Sequence, residues 1–303
     1  MKPAVAGAIL VLGYTALIAS ADAITKFIAG GYAAPQLFCM SGLIVMALSV
    51  LADRHPSQQR GLRTKCVWAM SVRSASTVVA AISFFYAFRY LPFAEVFLFI
   101  GLIPLLAGLM SGLILKEHVR PSAWAALAAG FVGVMCLFPT GWHGITSGHL
   151  FAFSAAFFGT LSMVMARYIG RIENNSLAQV FYPNLAIFAT MAVALPFVWV
   201  PMPIADLGWV VAYAALLFMA RWILVVALRL LAAYAVTPLM NLQFVWMVVI
   251  GALVFGEVPH TSMLLGVAIV IASGLYLVWD QFTPSAARGP IPKITLPKFK
   301  TDP

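Results

Sequence analysis

The chain has 303 residues, of which 63% are hydrophobic and 9% charged, with a formal net charge of +9 and a mean hydropathy of +1.00. So few polar residues cannot clothe a water-soluble surface, which excludes a soluble globular protein and makes the lipid bilayer the solvent. Strands of membrane barrels alternate apolar and polar residues, whereas the runs here are continuous and about 20 residues long, so the fold class is an all-α integral membrane protein.

Ten spans can be read in chain order, at roughly 4–25, 35–52, 68–90, 92–115, 121–139, 148–169, 176–198, 207–229, 232–255 and 260–280. The first exceeds a signal peptide's apolar region, and no small-residue cleavage site with a polar mature segment follows, so it reads as a permanent helix. Within it Asp22 and Lys26 stand four apart with the acid first, an ordinary helix-stabilising pair. The third span closes on Phe84, Phe85, Tyr86, Phe88 and Tyr90, and the fourth opens on Phe93, Glu95, Phe97 and Phe99. Pro92, Pro121 and Pro259 fall at or just before helix starts, where a missing N–H is harmless. His143 and His149 share the loop before the sixth span and read as solvated. Arg221 lies about two-thirds along the eighth span, and Asn241, Gln243, Phe244 and Trp246 lie in the ninth. Loops are short, which leaves no room for a soluble domain, and the basic tail 283–303 reads as disordered.

Lys and Arg are distributed unevenly between the two sides. With the N-terminus in the cytoplasm, that side receives Arg54, Arg60, Arg63, Lys65 and nearby Arg73, then Lys116, Arg120, Arg167, Arg171, Arg229 and the tail, while the other side receives Lys26 and Arg89. Both termini are therefore expected to be cytoplasmic. The net charge follows from topology and from contact with anionic lipid headgroups, so no nucleic-acid partner is implied.

The chain also repeats itself. Arg89, Leu91, Val96 and Glu117 fall on Arg229, Leu231, Val236 and Glu257 at one constant offset without a gap. Two units result, 1–139 and 148–280. Each holds five spans, an odd number, so the second unit enters the membrane from the opposite side. Inverted repeats of this kind belong to transporters, whose halves exchange conformations to open a central site to each side in turn. Glu117 and Glu257 are expected to anchor turns at opposite faces.

Leu115-Lys116-Glu117 followed by Pro121, Trp124, Gly130 and Gly133, echoed by Phe255-Gly256-Glu257 followed by Gly266 and Gly274, resembles the EamA repeat of the drug/metabolite transporter superfamily. The resemblance covers residues 1–280. It implies ten helices in two inverted five-helix repeats and a bacterial inner-membrane exporter of amino acids and other metabolites. It also implies a cavity lined mainly by the third and fourth helices of each copy and their partners.

The substrate-binding candidates are Arg221, Asn241, Gln243 and Trp246 with Phe84, Tyr86, Phe88 and Phe97. Arg221 either binds a substrate carboxylate or is consumed structurally, by helix carbonyls or an acidic partner. Asn241 and Gln243 are either inter-helix hydrogen-bond glue or substrate contacts. Glu95 is either a surface partner of Arg89 or a gate or proton-carrying carboxylate. A ring-rich cavity beside one cation suits an aromatic or bulky neutral amino acid. A drug or quaternary-amine exporter is the alternative, and it needs a cavity carboxylate such as Glu95 or Asp22. An enzyme or lipid scramblase is disfavoured, since no His, Cys or carboxylate constellation, Walker loop or dinucleotide fingerprint is present. No cofactor or metal is expected, Cys39, Cys66 and Cys136 read as buried thiols, and monomer and homodimer are left open.

Overall fold

The computed structural model describes residues 3–54, 61–91, 96, 99–116, 124–125, 128, 132, 146–230, 236, 239–240, 242–256, 268–269 and 272. The described regular structure is helical: α1 (Pro3–Ala29), α2 (Ala34–Asp53), α3 (Val67–Tyr90), α4 (Ile103–Leu115), α5 (Ser147–Ile172), α6 (Ser176–Val198), α7 (Ile204–Leu230) and α8 (Gln243–Phe255). Among the described residues, six helices (α1, α2, α3, α5, α6 and α7) are long and apolar enough to cross a membrane, and α4 and α8 are shorter. The expected spans at 121–139 and 260–280 lie almost wholly outside the described residues.

Helix ends follow local chemistry. Pro35 opens the first turn of α2, where its missing N–H is one of the unpaired donors anyway. Asn175 caps α6 by accepting the Ala178 N–H at 3.1 Å. At α5 the Thr146 N–H donates to His149 Nδ1 at 3.0 Å, and Thr146 and His149 form a capping box. His149 is thus a buried cap, which corrects its reading as a solvated loop residue. Both α4 and α8 end on a left-handed residue, Lys116 at φ +50° and Gly256 at φ +66°. Their N–H groups return to the Ser111 and Gly251 carbonyls respectively. These two helices begin, end and cap at the same positions of the sequence repeat.

Packing is pairwise and close. The most extensive packing is α3 on α5, α1 on α7 and α2 on α6. Each remaining prominent pairing has a counterpart when α1 to α4 are exchanged for α5 to α8: α3 with α6 and α7 with α2, α4 with α5 and α8 with α1, α1 with α3 and α5 with α7. Helices α2 and α6 run antiparallel. Near the start of α2 the Gln36 side chain receives the Val200 N–H at 3.2 Å, whereas further along, a Cβ on Gly42 would stand 3.3 Å from the Asn184 carbonyl. Small residues permit this approach where apolar burial gives helices no preference over lipid.

Helix α5 also orders the two ends of the bundle. A Cβ on Gly148, near its start, would meet Leu91 and Tyr90 beside Arg89, and one on Gly170, near its end, would meet Arg229. At about 1.5 Å per residue those ends are roughly 33 Å apart, so Arg89 and Arg229 lie at opposite ends of the bundle. Polar ties fasten the Arg229 end: Glu173 accepts Thr64 Oγ1 and the Lys65 N–H, each at 2.7 Å, and Arg229 donates to Ser176 Oγ at 2.8 Å and Asn174 Oδ1 at 2.7 Å. At the other end the Tyr32 hydroxyl donates to Asp206. That bond, with burial and the Asp206 charge adding to it, raises the phenol above its ordinary value of 10.0.

Candidate functional site

A central cavity of about 1180 Å³, its open mouth included, lies among the helices. Its ring wall is Phe84 and Phe88, one turn apart on α3 and stacked at 5.9 Å with planes 20° apart. Phe38 of α2 adds a third ring and meets Tyr213 of α7 at 6.4 Å. The polar lining comes from Tyr14, Asp22 and Thr25 of α1, Arg73 and Thr77 of α3, Ser162 of α5, Gln179 of α6, Tyr213 and Arg221 of α7, and Gln243 of α8. Helices α1, α2, α5 and α6 therefore share the lining with the third and fourth helices of each copy that the sequence favoured.

Arg73 is placed by a proline. Pro183 lies inside α6 and has no N–H to give to the carbonyl four residues back, that of Gln179. Arg73 takes up that carbonyl with Nε at 3.3 Å and Nη2 at 3.2 Å. Its Nη1 reaches the Ser162 carbonyl at 2.7 Å, and Thr77 Oγ1 pairs with Ser162 Oγ at 2.7 Å. A freed backbone acceptor inside a membrane must be satisfied within the protein. Arg73 is accordingly 8% exposed, which corrects its assignment to the basic loop flank.

Arg221 donates from Nη1 to Asn184 Oδ1 at 2.8 Å, so its described partner is a buried amide and not a carboxylate. Phe218 and Trp222, which flank Arg221 on α7, pack on each other, 5.7 Å apart, within a cluster containing Val45 and Leu177. Gln243 is buried and donates to Asp22 Oδ2 at 2.8 Å. Asp22 is thus a cavity carboxylate, which the reading of Asp22 and Lys26 as a simple helix pair left out. The Lys26 ammonium sits 5.1 Å from the Phe255 ring centroid. Tyr14 and Tyr213 each lie within electrostatic reach of both Asp22 and Arg221.

Of the sequence candidates, Arg221, Gln243, Phe84 and Phe88 meet at this cavity. Tyr86 packs instead with Tyr90 and Phe151, at 6.0 and 5.3 Å. Trp246 is 45% exposed and is not part of the lining. Asn241, Phe97 and Glu95 lie outside the described residues, as do Glu117 and Glu257. Sequence reasoning missed Arg73 and Gln179, and it brought Asp22 to the cavity only under the amine-exporter alternative. The spacing Gln179-x3-Pro183 inside an apolar span was the available signal, because it marks a freed carbonyl.

The bundle thus encloses charged and amide side chains beside stacked rings, at a depth where each polar group is costly, and this marks the cavity as the candidate functional site. Residues 5–138 match the EamA-like transporter family. That match covers less than half of the chain and falls within the first of the two units expected from the sequence repeat. A riboflavin transporter of Vibrio cholerae serotype O1 is 29% identical over 180 residues, 58% of this chain and 60% of that protein, so the match spans less than two thirds of the relative's length. A riboflavin transporter of Rhizobium johnstonii is 25% identical over 245 residues, 81% of this chain and 78% of that protein. A protein crystal structure superposes with a TM-score of 0.68 over 90% of this chain and 98% of the other at 20% identity, a likeness of fold alone.

Proposed function

We propose that this protein is a secondary transporter that passes a small, ring-bearing solute through the central cavity, with riboflavin as the first candidate cargo. The carrying observation is the cavity itself: stacked Phe84 and Phe88 offer a ring face, and Asp22, Gln243, Arg221 and Gln179 offer polar contacts around it. Both named relatives are riboflavin transporters, and a flavin combines a flat aromatic ring with a hydroxylated chain.

Alternating access of two inverted five-helix halves, 1–139 and 148–280, is the proposed mechanism. The exchange-symmetric packing, antiparallel α2 and α6, matched ends of α4 and α8, and placement of Arg89 and Arg229 at opposite ends support it. The charge distribution supports a bacterial inner membrane with both termini cytoplasmic.

A second reading, export of aromatic or bulky neutral amino acids, is favoured by one observation: Arg221 leaves Nε and Nη2 without a described partner and thus open to a carboxylate. Carriage of quaternary amines is disfavoured, because two guanidiniums outnumber one carboxylate in the described lining. Counterflow in proteoliposomes holding the purified chain tests these readings. Riboflavin is expected to exchange above empty vesicles and to be competed by flavin analogues. Exchange of phenylalanine, tryptophan or methionine without riboflavin would transfer the assignment to the amino-acid reading, and carriage of a quaternary amine alone would overturn both.

A further inference from the structure

Resting on the reading of the cavity as the transport site, we propose that its Arg73 and Arg221 end is an oxyanion subsite. The side-chain amide of Gln179 completes it, and it holds the carboxylate or phosphate-ester group of a solute whose ring lies toward Phe84 and Phe88. The argument begins with charge. Arg73 and Arg221 line one cavity, and both are held on α6 five residues apart, at the Gln179 carbonyl and at Asn184 Oδ1. Neither meets a carboxylate among the described residues: the described partners of Arg73 are on Gln179 and Ser162, and that of Arg221 is Asn184. Those neutral acceptors account for where the side chains lie but do not offset their charge. Cations at membrane depth require an anion or water to be tolerated.

The lining carboxylate, Asp22, is taken up by Gln243. Among the described residues no ion pair joins Asp22 to Arg73 or Arg221, whose partners are the neutral groups just named.

A second, independent observation falls at the same end. Gln179, whose backbone carbonyl holds Arg73, is 1% exposed, and among the described residues neither Nε2 nor Oε1 of its side chain has a hydrogen-bond partner. A buried amide of this kind is costly unless something else pairs with it. An oxyanion held by the two guanidiniums would offer that Nε2 donor the acceptor it lacks. Charge-assisted hydrogen bonds from planar guanidinium groups suit carboxylate and phosphate oxygens.

The test uses the full chain in detergent and reads ligand affinity from the shift of its thermal unfolding midpoint with ligand concentration. Two pairs of probes differ in charge: riboflavin against riboflavin 5′-phosphate, and indole-3-acetamide against indole-3-acetate. The anionic member of at least one pair is expected to bind about tenfold more tightly or better, and the pair that responds tells phosphate from carboxylate. Arg221→Gln is expected to bring the ratio near one, and Gln179→Leu to reduce it several-fold. Arg73→Gln also uncaps the Gln179 carbonyl, so the test rests on the other two variants. Equal affinities within both pairs in the unaltered protein, or a ratio unchanged in both variants, would overturn the subsite. If neither flavin binds but indole-3-acetate still exceeds its amide, the flavin reading fails and the subsite stands. If riboflavin is carried and neither anion is preferred, the reverse holds.

Discussion

Arg221 shows how much one position told in advance. A lone arginine two-thirds along an apolar span had to be either bound or binding, and it proves tied to Asn184 at 2.8 Å while still facing the cavity. Arg221→Ala should cut cargo counterflow at least tenfold while folded protein persists in the membrane, because Asn184 can bond to water in the open cavity. Size-exclusion profile and counterflow rate together check it. Tyr32 gives a pH test at the rim. Its phenol is raised by donation to Asp206, so the stability it contributes is present below the ordinary tyrosine value of 10.0 and is lost as pH rises through the higher folded value. Tyr32→Phe should therefore lessen the fall in melting temperature above about pH 10. Arg73 and Asp22 were misjudged for one shared reason. Each has a sequence neighbour that explains it cheaply, a basic loop for one and Lys26 for the other, whereas their true partners lie on distant helices.

At the level of helices, the repeat was readable because charged residues register at both ends of an apolar stretch, and the structure places equivalent helix ends at Leu115 and Phe255. What periodicity could not supply was which helices meet. An apolar span carries no face preference when lipid is as apolar as leucine, so the contribution of α1, α2, α5 and α6 to the cavity was hidden. The left-handed caps yield a paired prediction. Lys116→Gly should stabilise the protein by about 1 kcal/mol, and Gly256→Ala should destabilise it by a similar amount, since only glycine accepts positive φ freely. Thermal unfolding of the two variants in one detergent checks both signs. At the α2 and α6 crossing, Gly42→Leu should cost about 1–3 kcal/mol by forcing the helices apart at Asn184 and Phe188; a melting temperature equal to that of the unaltered protein would show that the crossing can give way.

For the molecule as a whole, orientation is the open quantity that charge addresses most directly. Single cysteines at 63 and 174, near the Glu173 ties, should be shielded from an impermeant maleimide in intact cells, and those at 32 and 201 should react. Labelling of position 63 from outside would reverse the orientation and leave the packing untouched. Two features of the bundle bear on how cargo preference changes over evolutionary time. Arg73 is anchored by main-chain carbonyls of α5 and α6, and no replacement of a neighbouring side chain can delete a carbonyl. The side chains of Phe84, Phe88 and Gln179 take no part in that anchoring. On the proposed transport reading, the shape and hydrogen-bonding edge presented to a solute can therefore be retuned without disturbing the acceptors that hold the Arg73 charge beneath them.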